Sequence, residues 1–135
     1  MPDEIIIIHD GSFKCLRSIV RRYSQRIRLL QLDHRFNRAF INNVGLQVAK
    51  YDLVASLNPN CVPQKGWLQS LVHQMRRQKN LMGAGGPLVE VHTDSLGNQY
   101  RCIHFEQSQG KHLIQNPNHL HSGNTIYRRK PILEM

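Results

Sequence analysis

The chain has 135 residues, the length of one ordinary domain, and 40% of them are hydrophobic, enough for a modest buried core. Its first apolar run, residues 5–8, is far too short to span a bilayer, and Asp3 and Glu4 precede it where a secretory leader would carry basic residues. The expectation is a soluble, cytoplasmic chain, and its net charge of +9 calls for an anionic partner: nucleic acid, a phosphorylated small molecule or an anionic membrane surface.

The first element is a short β-branched run at residues 4–9, which reads as a buried strand closed by the turn Asp10-Gly11-Ser12. Ser12 is a natural N-cap for the helix that follows, in which Phe13, Leu16, Ile19, Val20 and Tyr23 recur at helical spacing opposite Arg17, Arg21 and Arg22. Residues 27–32 read as the next strand and 33–37 as its exit loop. Phe40, Val44 and Val48 then mark one face of a second helix, where Gly45 costs about 1 kcal/mol relative to alanine and is read as a site of close packing. Residues 53–57 form the third strand, broken by Asn58-Pro59-Asn60. A third helix follows residues 63–66 and carries Trp67, Leu68, Leu71, Val72 and Met75 on its inner side.

Beyond Asn80 the rhythm changes. Gly83, Gly85, Gly86 and Pro87 open an extended stretch, residues 94–98 read as a turn, and residues 99–105 as a returning strand. Residues 107–121, rich in Gln, Asn and His, have no period and are expected to be a mobile loop; residues 122–128 read as a final strand. Cys15, Cys61 and Cys102 are odd in number and lack CxxC spacing, so neither a disulfide framework nor a zinc ribbon is indicated. The basic clusters Arg21-Arg22, Arg26 with Arg28, Arg76-Arg77 with Lys79, and Arg128-Arg129-Lys130 read as solvated helix ends and faces.

Strand alternating with helix, three times over, is the pattern of an α/β fold with a mostly parallel sheet and crossover helices. Ligands of such sheets bind at the carboxyl ends of the strands. Asp10 and the Asn58-Pro59-Asn60 turn both stand at such ends.

Five stretches now share an order: Ile7-Ile8-His9-Asp10-Gly11-Ser12; Asn42-Asn43-Val44-Gly45; Leu57-Asn58-Pro59-Asn60; Pro63-Gln64-Lys65-Gly66-Trp67-Leu68; and Ser122-Gly123-Asn124 ahead of Arg128-Arg129. Together they resemble the family 2 glycosyltransferases with the Rossmann-like GT-A fold, over nearly the whole chain. The resemblance implies one domain, with a nucleotide-binding part at 1–80 and a β-rich acceptor-side part at 81–135. It implies a nucleotide-diphospho-sugar donor, a UDP-sugar first among them, and transfer with inversion to the hydroxyl of a saccharide or lipid-linked acceptor. Asp10 would accept from a base N–H, with His9 and Asn43 beside the nucleotide. His9 stands where the family has an aspartate, and a structural histidine is the favoured reading there; for Asp10, a role that serves only its turn is an equal reading.

Asn58 and Asn60 stand where the family carries an Asp-x-Asp pair that holds Mg²⁺ or Mn²⁺ across the diphosphate. Asn offers a carbonyl oxygen without charge, so metal binding is expected to be weak or absent and catalysis is in question. Arg128 and Arg129 are candidate contacts to the departing phosphate. The family's first strand would precede Glu4 and its general base would follow Met135; Glu90, Asp94 and Glu106 do not occupy the matching place, so no catalytic residue is assigned. The His119-x-His121 pair, near His104 and His112, lacks the spacing of a zinc site and reads as an exposed polar loop. An alternative from another class is a non-catalytic remnant that forms a homo-oligomer or docks on a partner through an exposed sheet edge. Specific nucleic-acid binding has only charge in its favour, with no recognisable motif.

Overall fold

The computed structural model describes residues 1–10, 16–23, 26–104, 114–117, 119–121 and 123–135. Ten elements follow in order: β1 (Ile5–His9), α1 (Leu16–Arg22), β2 (Ile27–Gln31), α2 (Arg38–Val48), β3 (Leu53–Leu57), α3 (Trp67–Arg77), β4 (Gly83–Gly85), α4 (Leu96–His104), β5 (Asn124–Arg128) and α5 (Arg129–Leu133). The expected strand–helix alternation therefore holds through α3. The Ser12 cap and Phe13 lie outside the described residues, as does most of the expected loop at 107–121.

The chain divides into two compact units, Met1–Val54 with Arg129–Met135, and Ala55–Arg128. In the first, β1 and β2 pair in parallel with Ile5 opposite Ile27 and His9 opposite Gln31, so α1 is the crossover helix that a parallel pair requires. Among its described side chains, Val20, Leu46 and Ala49 are buried. Asn37 caps α2, its Oδ1 accepting from the Phe40 N–H at 2.8 Å.

The packing face of α2 differs from the expected Phe40–Val44–Val48 stripe. Phe40 is largely exposed and stacks on Phe36, while Leu46 and Ala49 turn inward. A Cβ at Gly45 would stand 3.3 Å from Ile8 Cδ1, so the helix makes a close approach to β1 at the glycine, next to the buried Leu46. The reading of Gly45 as a packing site holds. Tyr23, assigned to the inner side of α1, is exposed at the helix exit.

β5, in the second unit, is the central strand of a sheet ordered β3-β5-β4, and β3 belongs to that unit from Ala55 onward. β4 runs antiparallel to β5, Gly83 opposite Tyr127 and Gly85 opposite Thr125. Met75 and Ile126 are almost completely buried, with Leu71 close behind, and each such side chain contributes roughly 2 kcal/mol of burial. The expected inner side of α3 is thus correct at its centre. Gly66 adopts φ 84° ahead of α3, a left-handed conformation open to glycine without strain.

Two expectations are corrected. The described strands fall into two sheets, a parallel pair and a mixed-order triple containing an antiparallel pair, rather than one continuous mostly parallel sheet. Periodicity locates strands, but their neighbours are chosen by long-range packing that a local pattern does not encode. Of residues 99–105, expected as a strand, 99–104 belong to α4 instead, and Phe105 lies outside the described residues. Ser95 Oγ accepts from the Asn98 N–H at 3.2 Å, a cap that starts a helix, and Leu96, Tyr100 and Ile103 then follow helical spacing. No helix among the described residues is long and apolar enough to cross a membrane.

Candidate functional site

In the second unit, the corner where β3 ends is built from two distant stretches of sequence. The Asn58 N–H donates to the Gly123 carbonyl at 3.1 Å, which joins the exit of β3 to the start of β5. Asn58 Oδ1 accepts from the Asn60 N–H at 3.1 Å and the Asn58 carbonyl accepts from the Cys61 N–H at 2.9 Å. These two bonds close an Asx turn around Pro59, the local structure that asparagine favours most. Gly123 is buried against this turn: a Cβ would stand only 2.7 Å from Asn58 Cβ, so no other residue fits without displacing the corner.

Asn124, 6% exposed, fixes the next layer. Its Oδ1 accepts from the Trp67 indole N–H at 2.5 Å and its Nδ2 donates to the Pro87 carbonyl at 3.0 Å. A single amide therefore ties together the first residue of α3, the first residue of β5 and the segment after β4. Its main chain continues the network, the N–H donating to the His121 carbonyl and the carbonyl accepting from Gly86. The sequence motifs contain both Trp67 and Asn124, but nothing in them foretold this bond.

In the first unit, β1 ends at His9, whose carbonyl accepts from the Leu32 N–H at 2.8 Å, and half-buried Asp10 follows at the carboxyl end of the strand. Asn43 is exposed on α2. Glu4 braces the other end of this unit: Oε2 accepts from the Lys50 N–H at 3.1 Å and Oε1 lies 3.7 Å from Arg28 NH1.

Arg128 and Arg129 each hold a helix end. The Nε of Arg128 donates to the Leu81 carbonyl at 2.9 Å and its NH2 to the Met75 and Gln78 carbonyls at 2.6 and 3.4 Å, at the C-terminus of α3. Arg129 donates from Nε to Leu46 and from NH2 to Gln47, at 2.7 and 2.9 Å, at the C-terminus of α2. Cations bound to terminal carbonyls satisfy acceptors that the helix itself leaves open and offset its negative pole.

The donors at the Asn58-Pro59-Asn60 corner do not fit a hard divalent cation. Both side chains are neutral amides, and the Asn58 oxygen already accepts the hydrogen bond of its own turn. Among the described residues no three His, Cys, Asp or Glu side chains converge as a metal site. His119 and His121 meet edge to face at 5.4 Å, and the buried His121 Nε2 has no partner among the described residues.

The full chain, residues 1–135, matches the family described as "Glycosyl transferase family 2", and it belongs to that family. Among curated proteins it is 30% identical over 98 residues to a chondroitin synthase of Pasteurella multocida (strain Pm70), covering 70% of this chain and 10% of that protein. It is 31% identical over 83 residues to a hyaluronan synthase of Pasteurella multocida, covering 59% of this chain and 8% of the relative. A chondroitin synthase of Escherichia coli is 30% identical over 81 residues, 58% of this chain and 12% of that protein. The matched stretches are thus about a tenth of the length of each relative.

Proposed function

We propose that this chain is a donor-binding domain of a polysaccharide-building glycosyltransferase, taking a nucleotide-diphospho-sugar, with UDP-sugars first among candidates. The observation that carries the reading is the family match over all 135 residues together with the built corner at Asn58, Gly123 and Asn124. The nucleotide base is assigned to Asp10, with His9 and Asn43 beside it, and the diphosphate to the Asn58-Pro59-Asn60 turn. Asn60 is exposed there, and its amide can donate to phosphate oxygens where a carboxylate would repel them.

In the transfer reaction an acceptor hydroxyl attacks the anomeric carbon and the nucleoside diphosphate leaves from the opposite face. The acceptor must lose a proton to a base, and no residue of this chain is assigned that task. No step is routed through a metal, because the amide corner does not suit one. We assign Arg128 and Arg129 to holding the ends of α3 and α2 rather than to the phosphate, since their guanidinium groups already donate to main-chain carbonyls.

Thermal melting against a panel of uridine and guanosine diphosphate sugars tests the binding claim. A ligand at about 100 times its dissociation constant stabilises by roughly 2.7 kcal/mol, a shift of several degrees. A flat response across the whole panel, with and without Mn²⁺, removes the reading.

A second reading, an interaction module without catalysis, draws on α4. Leu96, Tyr100 and Ile103 lie 85%, 58% and 74% exposed at helical spacing. Self-association that weakens when Tyr100 and Ile103 are both replaced by serine would support it; a monomer at high concentration in sedimentation would exclude the homo-oligomer.

A further inference from the structure

We propose that the recess at the C-terminal end of α3 is a second ligand site, one that takes an acidic saccharide through its carboxylate groups. It is an open, shallow recess of about 580 Å³ lined by Arg77, Gln78, Lys79, Asn80, Leu81 and Asn116. The choice of a saccharide rests on the glycosyl-transfer reading; the choice of an anion rests on the geometry and charge of the recess.

The charge is one-sided. No acidic residue occurs between Asp52 and Glu90, so every charged side chain of α3 and the turn after it is positive. Among the described residues Arg77 has no ion-pair partner, and neither has the exposed Lys79. A helix C-terminus would ordinarily repel an anion through its open carbonyls. Here Arg128 donates to the Met75, Gln78 and Leu81 carbonyls, so its positive charge offsets that repulsion and ties the turn in place. The Leu81 N–H donates to the Gln78 carbonyl at 3.1 Å, so the floor of the recess is a closed turn rather than a loose tail.

The remaining lining selects among anions. Gln78, Asn80 and Asn116 present amides, which both donate and accept and so match vicinal hydroxyl groups. Asn116 holds φ 51°, a left-handed conformation that asparagine tolerates better than most residues. Among the described residues no aromatic side chain lines the recess, and the described lining offers no stacking platform of the kind that single-stranded nucleic acid uses. The recess is also distinct from the strand-end corner. β5 begins beside Asn58 through Gly123 and ends at Arg128, which places the two sites at opposite ends of a strand about 13 Å long.

Calorimetric titration of the full chain tests the proposal, using a uronic-acid tetrasaccharide, a neutral tetrasaccharide and a short single-stranded oligonucleotide. Binding of the acidic saccharide is expected, weakening as salt rises because the contacts are exposed. The double variant R77Q/K79Q is expected to lose roughly tenfold in affinity or more, while R76Q, which removes a neighbouring charge outside the recess, loses less than about twofold. Both variants alter exposed side chains, and unchanged melting verifies their folding. Silence toward the acidic saccharide, equal binding of the neutral one, tighter binding of the oligonucleotide, or indifference to R77Q/K79Q would each overturn the proposal. The nucleotide-sugar melt reads the other end of β5, so failure there with retained saccharide binding would remove the donor-binding reading and leave this site standing as an anion site.

Discussion

Replacing Asn124 by alanine removes the amide that joins α3, β5 and the segment after β4. Two partners lose their bonds, the Trp67 indole N–H and the Pro87 carbonyl, and a small cavity opens at a position only 6% exposed. An unsatisfied buried polar group costs about 1–3 kcal/mol. Trp67 is only half buried and water recovers part of its loss, so the expected destabilisation is about 2–3 kcal/mol. The assay is convenient because Trp67 is the single tryptophan: its fluorescence in a urea titration reports the region that is perturbed. Asn124→Asp separates polarity from volume. An ionised carboxylate can still accept from Trp67, but its second oxygen then faces the Pro87 carbonyl. The protonated acid can donate there, so the aspartate's folded-state pKa lies above its unfolded value near 3.9. The sign follows: this variant approaches the parent's stability below about pH 4 and falls away as pH rises through the raised folded value. A loss under about 0.5 kcal/mol for Asn124→Ala, or a stability difference for Asn124→Asp that ignores pH, would refute the bond as a structural tie.

Gly123→Ala places a methyl 2.7 Å from Asn58 Cβ, and overpacking of this kind costs about 1–3 kcal/mol; chemical denaturation should show that loss together with weaker nucleotide-sugar binding. Gly45→Ala meets only the flexible tip of Ile8, so the gain in helix propensity, about 1 kcal/mol at most, should leave its melt unchanged or raised, whereas Gly45→Val should lower it. The double change Asn58→Asp with Asn60→Asp restores two carboxylates to the corner, and calorimetry with Mn²⁺ should detect binding at least about tenfold tighter than in the parent. Arg129→Met leaves the Leu46 and Gln47 carbonyls without their donor and should cost about 1–3 kcal/mol in a urea melt.

The order of elements through α3 was legible because each relies on neighbours in sequence. Residues 53–57 are an apolar run bounded by the breaker Asn58-Pro59-Asn60, and β3 has those same ends. Leu71 and Met75, four residues apart, had to share a helix face, and both are buried. The strand-end corner was readable as a motif, since a turn at a strand's carboxyl end is a local feature. Family membership came from the same local signals in their order, and the chain's match over its whole length bears it out.

What the sequence left open depended on distance. Residues 96–104 carry both a turn-like start and a partial alternation, and only the Ser95 cap together with the spacing of Leu96, Tyr100 and Ile103 resolves them as a helix. Arg128 and Arg129 looked like a solvated pair or a phosphate clamp, because nothing local says that carbonyls 47 to 83 residues away will meet them. The partner of each strand and the face of α2 were decided the same way. Patterns of polarity and turn chemistry act over a few residues, whereas hydrogen-bond partners and close contacts form only once the chain has folded back on itself.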